Sequence, residues 1–143
     1  MESVIAVSMA EQDIDRLLRW PWTNICTDGE LRGSHPRGFG SFPRVLGHYV
    51  RDRQTLTLQQ AVHKMSDRAA SMVGLRGRGR IEAGGFADLV LFDPATVSDL
   101  ASTDEPHRVS AGIHQVWVNG QLVWHDGEVT DARPGRALRR PSA

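Results

Sequence analysis

Asp28 is the first residue whose type and setting could do chemistry. It stands in "WTNICTDGE", at the end of an apolar, β-branched run and at the start of a glycine-rich loop. In parallel α/β sheets, reacting groups gather at the carboxyl ends of strands. An aspartate there could ligate a divalent metal or take a proton from metal-bound water. The alternative is an aspartate that serves only an Asp-Gly turn. Strand alternation puts Cys26 and Asp28 on one face and Thr27 on the other. His35, in "SHPRG", follows in the loop. It could be a ligand, a proton carrier, a substrate contact or a solvated loop side chain. Arg37 and Arg44 could hold a carboxylate by paired hydrogen bonds, or serve packing and the surface. His48, His63, His107, His114 and His125 have no metal-ligand spacing among themselves and read as structural or solvated.

Composition narrows the classes. The 143 residues favour one domain with a real core. Lysine plus arginine equals aspartate plus glutamate at 17 each, which argues against a nucleic-acid binder held by long-range charge. No apolar run approaches the roughly 20 residues of a membrane helix, so no membrane partner is expected. The amino terminus has no basic region followed by a long apolar one, so no signal peptide is expected. Cys26 is the sole cysteine; it allows no intramolecular disulfide and points to a reducing cytoplasm.

The elements that must position Asp28 can be read from pattern. Ser3 to Val7 predicts a strand buried on both faces. Ser8 to Glu11 fits a capping box, and a helix to about Arg19 follows, with Ile14, Leu17 and Leu18 on one face and Pro21 stopping it. Trp22 to Thr27 predicts a second strand, parallel to the first. Gly29, Gly33, Pro36, Gly38 and Gly40 predict a long loop. Phe42 to Arg51 predicts a helix with Pro43 in its first turn. Thr57 to Gln60 fits another capping box, opening a helix over about 58 to 73 that Gly74 ends. Gly77-Arg78-Gly79 follows a helix and precedes a strand, the reverse of a dinucleotide fingerprint. Beyond it the chain reads as β, with Asn119-Gly120 supplying a two-residue hairpin turn. The fold class is therefore α/β, with an α/β front half and a β back half.

Together these segments resemble the C-terminal part of the amidohydrolase superfamily. "GRIEAGGFADLVLFDP" is similar to the segment by which that superfamily's chain returns from its barrel to a small β domain. "VWVNGQLVWHDGE" looks like that domain's terminal hairpin. "TDG" followed by "HPRGFGSFPRVLGHYVR", with "ARPGRALRR" near the end, resembles more narrowly the D-aminoacylases, the N-acyl-D-amino-acid deacylases. The resemblance implies the last two strand–helix units of a (β/α)8 barrel over residues 1–76. It then implies the C-terminal strands of a small composite β-sandwich domain over 77–143, with a strap-like tail. It also implies zinc as cofactor and an N-acyl-D-amino acid as substrate, cleaved to a D-amino acid and a carboxylate. By the family's pattern, Asp28 is the catalytic aspartate at the end of the eighth barrel strand, able to hold metal or hydroxide and pass a proton to the leaving amine. His35 and Arg37 are carried over as its substrate-binding neighbours.

The sequence departs from that family where metal is concerned. There is no His-x-His pair, and Cys26 sits beside the aspartate rather than at the family's bridging position. A catalytic zinc takes three protein ligands. The chain alone is therefore expected to bind no zinc stably and to be inactive without a complementary N-terminal portion. Two other readings stand beside this one. The first is a non-catalytic binding or self-association module that forms a homo-oligomer through its exposed edges. The second is a truncated gene product without its own function.

Overall fold

In the computed structural model, residues 8–30 and 33–139 are described. The strand expected at Ser3 to Val7 lies outside them. Helix α1, Glu11–Arg19, carries Glu11 and Asp13 in its first turn and Arg16 and Arg19 in its last, which complements the helix dipole. The expected capping box does not form, because Ala10 is the N-cap and makes no side-chain cap. Glu11 turns instead toward the body of the protein and accepts from the Tyr49 hydroxyl at 3.3 Å. Ile14 and Leu18 pack on the core, whereas Leu17, expected beside them, is exposed.

Trp22 to Thr27 forms no strand ladder among the described residues. A strand needs a neighbouring strand to take its N–H and C=O groups, and here Ile25 N–H donates to the Lys64 carbonyl at 3.3 Å and the Thr23 carbonyl accepts from the Lys64 ammonium at 3.1 Å. The side chains still alternate. Thr23, Ile25 and Thr27 are half-buried, while Asn24, Cys26 and Asp28 are exposed.

The next helix starts earlier than its sequence predicts. Helix α2 is Arg37–Arg44, with Pro36 as N-cap and Pro43 inside it. Pro43 has no N–H to give the Phe39 carbonyl. The Ser110 hydroxyl supplies a donor to that carbonyl at 3.2 Å. Helix α2 runs directly into a π-helical segment, Val45–Asp52. The wide ladder continues into its exit, where Arg53 N–H donates to the His48 carbonyl at 2.9 Å.

Thr57 makes the predicted capping box. Gln60 N–H donates to Thr57 Oγ1 at 3.2 Å and Thr57 N–H to Gln60 Oε1 at 2.9 Å. The helix behind it is two helices, α3 (Leu58–Met65) and α4 (Asp67–Val73), hinged at Ser66, whose φ/ψ of −121°/−86° is not helical. Backbone at Gly79 packs against that hinge so closely that a Cβ there would lie 2.9 Å from the Ser66 carbonyl oxygen. Gly74 ends α4 in the left-handed conformation, as predicted.

Four antiparallel strands follow: β1 (Leu89–Phe92), β2 (Ile113–Val118), β3 (Gln121–His125) and β4 (Glu128–Val129), in spatial order β1-β2-β3-β4. Asn119 and Gly120, at φ 49° and 80°, make the predicted turn between β2 and β3. Asp126-Gly127 repeats the device at φ 42° and 100°.

The core gathers Val45, Leu46, Tyr49, Leu56, Ala61 and Val97, with Ile14, Ile25, Phe92 and Ile113 against it. Val97 is fully buried, and its neighbour Ser98 bridges to Ala111. The helical half and the sheet thus share one apolar centre. No helix of the described residues is long and apolar enough to cross a membrane.

Candidate active site

Asp28 sits at the end of the alternating segment in left-handed backbone, φ 47°. Aspartate tolerates that conformation better than most residues. The turn then meets the start of α2. A Cβ on Gly29 would lie 2.5 Å from Gly38 Cα and 2.7 Å from Thr27 Oγ1. Glycine at position 29 lets these backbones touch. Thr27 fastens the contact by donating from its hydroxyl to the Arg37 carbonyl at 2.7 Å.

This closure brings the three residues nominated from sequence together. Arg37 Nη2 lies 3.2 Å from Asp28 Oδ2. His35 Nδ1 accepts from the Arg37 backbone N–H at 3.1 Å. With Nδ1 accepting, a neutral His35 carries its proton on Nε2. The Asp28 side chain is 81% exposed and that of Arg37 47%, so the pair is worth about 0–1 kcal/mol and exchanges readily.

Arg44 goes elsewhere. It pairs with Asp99 at 3.3 Å and approaches Glu11 at 4.0 Å. Cys26 is an exposed free thiol. His107, one of the histidines whose sequence reading is structural or solvated, takes a structural role here. Its Nε2 donates to the Gly33 carbonyl at 2.9 Å, and its ring lies 5.2 Å from that of Phe39. It ties down the loop that carries His35 from far along the chain, and no local signal marks it.

No group of three or more His, Cys, Asp or Glu side chains able to hold a metal occurs among the described residues. Asp28 offers a single carboxylate, so these residues do not fit a complete zinc site.

Comparison with known proteins adds the following. The model of the amidohydrolase family matches residues 9–124. A D-aminoacylase of Alcaligenes xylosoxydans xylosoxydans is 48% identical over 137 residues, covering 94% of this chain and 28% of that protein. A crystal structure of D-aminoacylase, described as defining a novel subset of amidohydrolases, superposes with a TM-score of 0.89 at 47% identity, over 92% of this chain and 28% of that one. N-acyl-D-glutamate deacylase from Bordetella bronchiseptica, solved with zinc and a phosphonate mimic of the tetrahedral intermediate, gives 0.84 at 43% identity, again over 92% and 28%. The chain thus spans under a third of the length of these relatives.

Proposed function

The chain belongs to the amidohydrolase family and corresponds to the C-terminal part of a D-aminoacylase, and from that premise we propose that it forms one wall of an active site that hydrolyses N-acyl-D-amino acids. The observation that carries this reading is the Asp28–Arg37 pair at 3.2 Å on an open rim. Asp28 is the proton carrier, taking a proton as water adds to the amide carbonyl and giving it to the leaving amine. Arg37 receives the substrate carboxylate by paired hydrogen bonds, exchanging its weak hold on Asp28 for it. His35 presents Nε2–H beside them. The solved deacylase relative is complexed with zinc. In this reading the ligands that complete its metal site come from the part of the family's sequence that this chain does not span. Residues 1–76 then belong to the barrel and 77–143 to the small β domain, and the 143-residue chain alone turns nothing over.

In an assembled enzyme, Asp28→Asn should lower kcat on an N-acetyl-D-amino acid by about 10²-fold or more with little change in KM. Arg37→Met should raise KM. An Asp28→Asn enzyme with undiminished kcat would remove Asp28 from the chemistry.

One observation favours a second reading, self-association of the chain. An apolar hollow of about 1010 Å³ lies over the sheet, lined by Phe39, Pro43, Val116, Val118, Val123 and Val129 among others. Under the first reading the complementary part of the family's chain fills it. Under the second, another copy does.

A further inference from the structure

A second hollow, of about 510 Å³, has walls that include Arg19, Gln60, His63, Lys64 and Arg68. It shares no lining residue with the Asp28 rim. Its chemistry follows from counting which donors are already used. Lys64 is buried, and its ammonium donates to the Trp20 carbonyl at 2.6 Å, the Thr23 carbonyl at 3.1 Å and Thr23 Oγ1 at 3.0 Å. It therefore brings fixed charge and no spare donor. Burial and then the charge of Arg68 hold its pKa below the ordinary lysine value.

Arg68 Nε is buried and has no hydrogen-bond acceptor among the described residues. Its guanidinium is steered by the Trp22 ring, 5.4 Å from the centroid. Gln60 Oε1 is taken by the Thr57 N–H, which leaves the Gln60 amide N–H groups to point elsewhere. His63 Nδ1 turns its N–H toward Asp67 Oδ2 at 3.2 Å, so in the neutral ring Nε2 is an acceptor and offers an anion no donor. Among the described residues Arg19 uses only Nε, on the Thr55 carbonyl at 3.4 Å. The nearby carboxylates are already claimed, Asp67 by Arg80 and His63, and Asp15 by Arg53 and Thr55. The unused groups of Arg68, Arg19 and Gln60 are thus donors, and Arg19, Lys64 and Arg68 line one space. The Arg19 and Arg68 guanidinium ends make no ion pair among the described residues, and an anion would pair with them while relieving the Lys64–Arg68 repulsion.

We propose that this hollow binds a phosphate-sized oxyanion, held by Arg68, Arg19 and Gln60 Nε2, with Lys64 as counter-charge. Planar guanidinium forks at two walls suit the paired oxygens of such a group.

The test is calorimetric titration of the 143-residue chain with inorganic phosphate against chloride at equal ionic strength, with thermal melts in parallel. One saturable site with Kd below about 1 mM is expected, together with a Tm that rises with phosphate. Arg68→Met should weaken binding at least tenfold. Arg16→Gln, which removes an exposed α1 arginine paired with Asp13 outside the hollow, should leave it unchanged. If Arg68→Met does not fold, Arg19→Met tests the opposite wall with the same expected loss. Acetate should bind more weakly than phosphate. Binding that does not saturate, equal weakening by Arg16→Gln, or equal affinity for acetate would overturn the assignment.

Discussion

At the residue scale the rim depends on backbone contact more than on charge. The Asp28–Arg37 pair is exposed and weak, but the Gly29–Gly38 contact that places it has no slack. Gly29→Ala drives a Cβ to within 2.5 Å of backbone, so one strand of the contact must move. Overpacking of this kind costs about 1–3 kcal/mol. A urea midpoint below that of the parent is expected, and an unchanged midpoint would mean that the loop is not held against α2. Acid should also loosen the protein, through other carboxylates. Asp15 is held below the usual aspartate value by Arg53 and then the Thr55 hydroxyl, and Asp93 by the Ala95 N–H and then the Thr96 hydroxyl. At Asp88 burial pushes upward, but the Asn119 N–H and Arg78 outweigh it. Carboxylates depressed in the folded state stabilise it above the unfolded value of about 3.8 and lose that contribution as pH falls through the lower folded values. Urea midpoints should therefore hold at pH 5 and fall toward pH 3, with Asp15→Asn losing less over that span than the parent. Asp28, His35 and Arg37 were legible as candidates because type and order along the chain suffice to nominate them. The Gly29–Gly38 contact and the His107 tether were not. Each depends on a loop fold or a long-range contact that no local pattern encodes.

Elements were legible where the signal is local and covalently close. The Thr57–Gln60 box, the Gly74 stop and the Asn119-Gly120 turn each need only a few neighbouring residues, and each forms. Thr57→Ala removes the hydroxyl that receives the Gln60 N–H, and should cost about 0.5–2 kcal/mol. Circular dichroism should show the loss as a lower Tm with little change in native helix signal. A parent-like Tm would mean that α3 is held by packing alone. Patterns that depend on tertiary partners read less well. Trp22 to Thr27 keeps the two-residue alternation of a strand, yet among the described residues it has no ladder. Alternation reports which side faces the core, whereas a strand also needs a neighbour. Sequence places Pro43 at a helix start because its missing N–H is cheapest there. The structure tolerates it inside α2 because Ser110, far along the chain, reaches the Phe39 carbonyl. The apolar spacing behind Thr57 runs on across Ser66 and so conceals the hinge. The backbone packed on that hinge comes from Gly79, which periodicity cannot see.

At the scale of the whole molecule, surface decides the argument. The chain exposes 10296 Å² at 15.8 kDa, whereas a compact monomer of that mass exposes roughly 7300 Å². Part of the excess is apolar: Trp22, Ile81, Val90, Leu91 and Val129 are all exposed, and the hollow over the sheet is lined by valines. Apolar area of this extent marks a surface that meets another one. The chain aligns with D-aminoacylases over nearly all of its own length but 28% of theirs, so the surface is proposed to fit the rest of such an enzyme. Static light scattering can distinguish the two occupants. At micromolar concentration the chain alone should bind a hydrophobic dye strongly. With the complementary part of a D-aminoacylase relative, it should form a one-to-one complex that expels the dye and releases D-amino acid from an N-acetyl substrate. Homo-oligomers that persist in the presence of that partner would favour self-association, because one apolar face cannot be covered twice. A monomer that neither binds dye nor takes up the partner would contradict both, since each requires this face to be open and adhesive.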